Sequence, residues 1–225
     1  MRSHPLDCPI WSALTSRQSA FGTEGALARR FAEDISPFAA AADDSPDAVA
    51  ALAGLAHADD DMSLLERAPP SPPPGILLKL NAAGVQMVLA TLTPGADIAF
   101  HHLGDADAPD MLALATLTRP GPFRARTHKL GRFIGVRDNG QLIAMAGERL
   151  QTDQFVEVSG ICTHPDHRGR GLAAALTRII AARILEEGKT PFLHAYASNT
   201  GAISVYRKLG FEHRCDVTHA MWTRA

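Results

Sequence analysis

The sequence predicts an α/β protein built on a mixed sheet. From about residue 97 onward, short β-type runs alternate with amphipathic helical ones. Asp138-Asn139-Gly140 lies between two such runs, and Asn-Gly is the strongest short-range hairpin signal, so part of the sheet is antiparallel. A hydrophobic content of 46% over 225 residues is enough to bury a sizeable core under that sheet.

The first ninety-odd residues read differently. Residues 31–61 are alanine-rich and acidic, with Ser45-Pro46 marking a helix start. "APPSPPPG" (68–75) is a polyproline-like connector. "ILLKL" and "VQMVLATL" follow, split by "NAAG" (81–84), which predicts a hairpin in a small sheet. These features define an N-terminal companion region, 1–96, of helices and a small sheet.

The second region, 97–225, opens with a short strand at 97–103. "DADAPDMLALATLT" (105–118) has acidic residues first and apolar ones at helical spacing, and ends at "RPGPF". Two strands flank the Asn-Gly turn within 131–150. "FVEVSGICTHP" (155–165) is a strand stopped by Pro165. A helix over 171–188 aligns Leu172, Leu176, Ile179, Ile180 and Ile184 on one face, and Gly188 closes it. A strand (191–197), a short helix (199–210) and a final strand or strand pair (211–222) complete the chain.

Composition excludes several functions. A net charge of −2 argues against a nucleic-acid or polyanion partner, so any basic feature acts locally. Cys8, Cys162 and Cys215 are odd in number and scattered, which is neither a disulfide framework nor a zinc pattern and suits a reducing cytoplasm. No apolar run is long enough for a membrane span, and the N-terminus has no signal-like apolar region. No metal site is expected: His164 and His167 lack a completing ligand set, and His101 and His102 point to opposite faces of a strand.

"HPDHRGRGLAAAL" (164–176) concentrates the chemistry. Gly169-Arg170-Gly171-Leu172-Ala173-Ala174 fits a dinucleotide fingerprint, but the next strand ends in "AYASN" with no ribose-binding carboxylate. A phosphate loop would need Gly-Lys-Ser/Thr, which is missing. An anion cradle needs less. The first turn of a helix offers unpaired N–H groups, Gly169 and Gly171 let a pyrophosphate approach the backbone, and Arg168 and Arg170 add charge. A plain basic loop would leave arginines opposing the helix dipole for no reason.

Arg168-x-x-Gly171-x-Ala173 resembles the acyl-CoA pyrophosphate motif of the GNAT N-acetyltransferase superfamily, and "NTGAISVYRKLGF" (199–211) resembles that family's second motif. The likeness covers 97–225. "RPGPFRARTHKLGRFIGV" and "SGICTHPDHRGRGLA" are most similar to the subgroup related to glycine N-acyltransferases, by which residues 1–96 would be a degenerate half-domain. The resemblance implies a GNAT-like fold and transfer of an acetyl group from acetyl-CoA by direct attack of an amine on the thioester. The acceptor would be a small-molecule amine, an amino acid or a peptide, and the protein a monomer or homodimer. A non-catalytic acyl-CoA-binding sensor is the alternative.

The same resemblance assigns roles. Arg168, Gly169, Arg170, Gly171, Leu172 and Ala173 would hold the pyrophosphate. Ile161, Cys162 and Thr163 would offer backbone groups to the pantetheine where the strand splays open, and Gly160 suggests a bulge there. Glu157 is the candidate general base, its bland alternative being a surface carboxylate; alternation places it with Phe155 and Ser159, opposite Val156 and Val158. Tyr206 is the candidate general acid for the departing thiolate. Asn199 and Ala202 belong to the cofactor side, though capping explains an Asn at 199 equally well. Lys208 either reaches a CoA phosphate or is solvated. Arg124, Arg126, Thr127 and His128 are candidates for acceptor recognition, or a solvated basic loop.

Overall fold

In a computed structural model of the chain, residues 4–58, 60–96 and 98–225 are described. Asp97, first residue of the strand expected at 97–103, lies outside them.

The N-terminal region holds α1 (Pro9–Leu14), a two-stranded antiparallel sheet of β1 (Ala28–Arg30) and β2 (Ala39–Ala41), and α2 (Pro46–Gly54). Ser45 starts α2 as its sequence suggests: its Oγ accepts the Ala48 N–H at 3.3 Å, a cap of about 1 kcal/mol. β3 (Met62–Glu66) and β4 (Ile76–Leu89) follow on either side of the proline-rich connector. After β5 (His101–Leu103) come α3 (Ala108–Thr118), β6 (Phe133–Asp138), β7 (Gln141–Gln151) and β8 (Phe155–Thr163). The chain ends with α4 (Leu172–Glu186), β9 (Thr190–Tyr196), α5 (Thr200–Lys208) and β10 (Phe211–Arg224).

Eight strands form one mixed sheet in the order β3-β10-β4-β9-β8-β7-β6-β5. The β8–β9 pair is parallel, with α4 as its crossover, and the remaining pairs are antiparallel. The β6–β7 turn has positive φ at both Asn139 (47°) and Gly140 (83°), which is why that dipeptide makes it.

The hairpin expected at 81–84 does not form. β4 runs unbroken through it, paired with β10 from Ile76↔Arg224 to Leu89↔Phe211. Gly84 has no positive φ; a Cβ there would come within 3.1 Å of the Ala195 carbonyl and 3.2 Å of Val217, so this glycine serves close packing between neighbouring strands. Residues 62–66 and 76–89, counted above with the N-terminal region, therefore sit in the same sheet as the C-terminal strands.

Both faces of the sheet are covered. On one, Leu176, Ile180 and Ile184 of α4 meet Val156, Val158, Ile134 and Leu193. On the other, Leu6, Ile10, Leu14, Phe31 and Phe38 pack on Leu65, Leu150, Phe192 and Val217. α2 lies on Met62, Leu64, Ala220 and Trp222 at the sheet's far edge. At a few kcal/mol per fully buried large side chain, these layers supply most of the folding drive. Among the described residues no helix is long and apolar enough to cross a membrane.

Candidate active site

β8 and β9 pair only from Phe155↔Thr190 to Glu157↔Phe192 and then diverge. Gly160, at φ 62°, marks a bulge where β8 spends one residue more than β7 between the Gly147↔Ser159 and Met145↔Cys162 pairs. A Cβ at Gly160 would press on Phe133, so glycine is required there both for φ and for space. The divergence opens a cleft of about 550 Å³.

The expected cofactor residues gather in that cleft. Ile161, Cys162 and Thr163 line one wall, Arg168 to Ala173 the mouth, and Asn199, Ala202 and Tyr206 the opposite side. Gly169 (φ 77°) and Gly171 (φ 74°) are left-handed with open space around them, so backbone conformation alone demands glycine at both. Gly171 is the N-cap of α4 and uses no side-chain cap, which leaves the first-turn N–H groups open to the cleft. Arg168 and Arg170 are exposed, and Arg170 Nη1 lies 3.0 Å from His167 Nδ1. A pyrophosphate fits this donor set. Lys208 stands exposed at the end of α5, outside the residues that line the cleft.

Asn199 caps α5, its Oδ1 accepting the Ala202 N–H at 3.2 Å, while also facing the cleft. Cys162 is a buried thiol; burial pushes its pKa up to about 11, so it is no ready nucleophile. Tyr206 is 8% exposed, and burial with nearby Cys162 raises its phenol to about 12. It therefore holds its proton at neutral pH.

A second, smaller pocket of about 70 Å³ adjoins the cleft. Pro120, Ile161, His194, Ala195, Tyr196 and Tyr206 line both, so the two adjoin along this shared wall. Phe38 and Leu65 close its floor, and its polar walls come from Arg149, His194, Tyr196 and His219.

Glu157 does not sit free in this pocket. It is fully buried on the Phe155 side of β8, as alternation requires, but bound on every side. Arg149 donates to it from Nε at 2.8 Å and Nη2 at 2.7 Å, the Leu150 N–H donates at 3.3 Å, and His194 Nδ1 lies at 2.7 Å. Burial alone would raise its pKa; the Arg149 charge and the Arg149 and His194 hydrogen bonds outweigh this and bring it to about 2. The carboxylate is therefore ionised at neutral pH. In this arrangement Glu157 holds Arg149 and His194, both of which line the smaller pocket. His194 is held from its other side by Gln86, Nε2 to Nε2 at 3.0 Å.

The acceptor candidates are mostly engaged elsewhere. Arg126 pairs with Asp34, Thr127 donates to the Ile35 carbonyl, His128 meets Asp105, and Arg124 pairs with Asp60. They bind the 119–130 segment to its surroundings and do not line the smaller pocket. The pocket residues missed from sequence are Arg149, His194, Tyr196 and His219. Each looks like an ordinary strand residue until the sheet order assembles them. Among the described residues, no cluster of His, Cys, Asp or Glu could hold a metal ion.

Comparison with known proteins gives the family. An FR47-like protein family model matches residues 133–223. Over 99% of this chain and 100% of the other, the fold superposes with a TM-score of 0.93 and 42% identity on the crystal structure of an acetyltransferase assigned to the GNAT family from Novosphingobium aromaticivorans DSM 12444. The chain therefore belongs to the GNAT family of acetyltransferases. A GCN5-related N-acetyltransferase from Kribbella flavida shares the fold at TM-score 0.62 and 19% identity, over 96% of this chain and 93% of that one. Mycothiol acetyltransferase of Mycolicibacterium gilvum is 32% identical over 81 residues, 33% of this chain and only 27% of that relative's length.

Proposed function

We propose that the chain transfers the acetyl group of acetyl-CoA to the nitrogen of an amine or peptide acceptor by direct attack. The observation that carries this reading is that two cavities share a wall that includes Tyr206: one with a glycine-arginine turn at its mouth, the other with a polar wall and an apolar floor. Acetyl-CoA enters with its pyrophosphate on the N–H groups of the Gly169–Ala173 turn and its pantetheine along Ile161–Thr163. The amine comes from the smaller pocket. Nitrogen bonds to the thioester carbon and loses its surplus proton to solvent, the tetrahedral adduct collapses, and the C–S bond breaks. Tyr206, still protonated, gives its proton to the departing thiolate. A main-chain N–H of the bulged β8 segment is our candidate for the developing oxyanion.

Within the family we read the chain as closest to the glycine N-acyltransferase-related subgroup, on the two stretches quoted above. The buried cysteines Cys8, Cys162 and Cys215 suit a reducing compartment, and the cytoplasm is our assignment. In a coupled assay of CoA release with an amine panel, Tyr206→Phe is expected to lower kcat about 100-fold while the KM for acetyl-CoA stays within threefold. Full turnover by that variant would remove Tyr206 from the mechanism.

A further inference from the structure

Arg149 meets the smaller pocket with one nitrogen to spare. It is a residue of β7, only 7% exposed, and lines that pocket. Nε and Nη2 donate to Glu157 at 2.8 and 2.7 Å, and the guanidinium carbon stands 4.8 Å over the Phe38 ring. The third nitrogen, Nη1, carries two further N–H groups. Among the described residues neither finds an acceptor.

The space in front of Nη1 is kept open. Gly121, also in the pocket lining, has φ 126°, and a Cβ on it would stand 3.9 Å from Nη1. The guanidinium itself is fixed from behind. Gln86 Oε1 accepts from Arg214 at 2.9 Å and its Nε2 donates to the Leu6 carbonyl at 2.9 Å, which orients the amide. Gln86 Nε2 therefore donates to His194 Nε2, and His194 Nδ1–H donates to Glu157. Glu157, also reached by the Leu150 N–H, cannot turn away from Arg149 without losing these bonds.

A buried N–H left without an acceptor is costly, and more so on a charged group. An oxygen of the bound acceptor would offset that cost. The pocket holds about 70 Å³, room for the head of an acceptor alone. An outer cavity of about 450 Å³ shares Gly121, Pro122, Tyr196 and His219 with it and has room for the remainder. With the nitrogen directed at the cofactor cleft and an oxygen at Nη1, so small a volume puts the two on neighbouring carbons.

We propose that Arg149 selects the acceptor: its Nη1 donates to a carbonyl or carboxylate oxygen on the carbon next to the attacking nitrogen. A peptide N-terminus and a free α-amino acid both present that oxygen. This rests on the amine acetyltransferase reading above and narrows its acceptor to α-amino carbonyl compounds. Arg149 is thus a specificity-determining residue, held in place by Glu157 and Phe38.

The test is a competition for acetyl-CoA. Glycine, glycinamide and glycylglycine each compete with a fluorinated ethylamine of similar size and basicity, and acetylated products are counted by mass spectrometry. The resulting ratios of kcat/KM do not depend on how much of a preparation is folded. Wild type should prefer a carbonyl-bearing acceptor by about 30-fold, the worth of a hydrogen bond to a charged group. Preference for glycine would identify a free amino acid, and preference for glycinamide and glycylglycine a peptide end. Arg149→Lys keeps a charge beside Glu157 but lacks the fork that serves carboxylate and ligand together. Gly121→Leu keeps the ion pair and fills the space before Nη1. In each the preference should fall to about threefold or less. A wild-type ratio within twofold, or a preference that survives in both variants, overturns the role of Arg149 and leaves the acetyltransferase reading standing. If wild type acetylates no amine of any kind, both fall.

Discussion

Glu157 shows how one residue's partners decide its work. Its carboxylate is held as an anion at about 2, below the 4.5 of a free glutamate, and His219 is held at about 4, below the ordinary 6.5. In both cases the unfolded chain binds more protons, so stability is full above the unfolded value and lost on acidification. The His219 part is lost as pH falls from about 6.5 to 4, and the Glu157 part from about 4.5 to 2. Glu157→Gln leaves Arg149 buried without its counter-charge and should cost about 3–5 kcal/mol at neutral pH, flattening the lower limb of a stability-versus-pH curve measured by urea unfolding. An unchanged midpoint would mean that the ion pair is not formed in solution. The sequence shows a glutamate on a strand before a cradle; it does not show Arg149 eight residues earlier or His194 thirty-seven later closing on it. The short capped helix that carries Tyr206 was legible because its signals are local, an Asn cap and a few adjacent residues.

At the level of elements, α4 ends on a left-handed glycine at each side: Gly171 at its start and Gly188 after its end, with φ of 74° and 71° and nothing within 4 Å of an added Cβ. Alanine at either should therefore cost a similar 1–2 kcal/mol of stability, from backbone conformation alone. Only Gly171 borders the cleft. Gly171→Ala should weaken acetyl-CoA binding at least fivefold in calorimetry, while Gly188→Ala should leave it within twofold. Equal effects would mean that the turn is merely a helix start. Helices, the Asn-Gly hairpin and the Gly160 bulge could be read directly because each is written in a few adjacent residues. β4 could not. Its "NAAG" looks like a turn in isolation, and what straightens it is thirteen residues of pairing to β10, over 120 positions further along the chain.

For the whole molecule, the N-terminal region and the C-terminal strands share one interior. Leu6, Ile10 and Leu14 are buried against Leu150, Phe192 and Val217, and Gln18 Nε2 donates to the carbonyls of Leu130 (3.0 Å) and Arg149 (2.7 Å). A polar line runs from Asp7 through Arg214 and Gln86 to His194 and Glu157, so the N-terminal turn is wired to the pocket wall. Calorimetry should give one unfolding transition, and Leu14→Ala should lower it as a unit, costing about 2–5 kcal/mol. Two separate transitions would show an independent N-terminal unit. None of this was legible in the first eighteen residues, where Leu6, Ile10 and Leu14 have helical spacing but find their partners Leu150, Phe192 and Val217 only across the finished sheet.

Acetyl transfer by the purified chain tests the central claim most directly. Acetyl-CoA and a broad amine and peptide panel would be incubated with wild type and Tyr206→Phe, with thiol release and acetylated products followed by mass spectrometry. The account predicts one N-acetylated acceptor per CoA released by wild type and a rate about 100-fold lower for the variant. Tight acetyl-CoA binding with no transfer to any amine would contradict it.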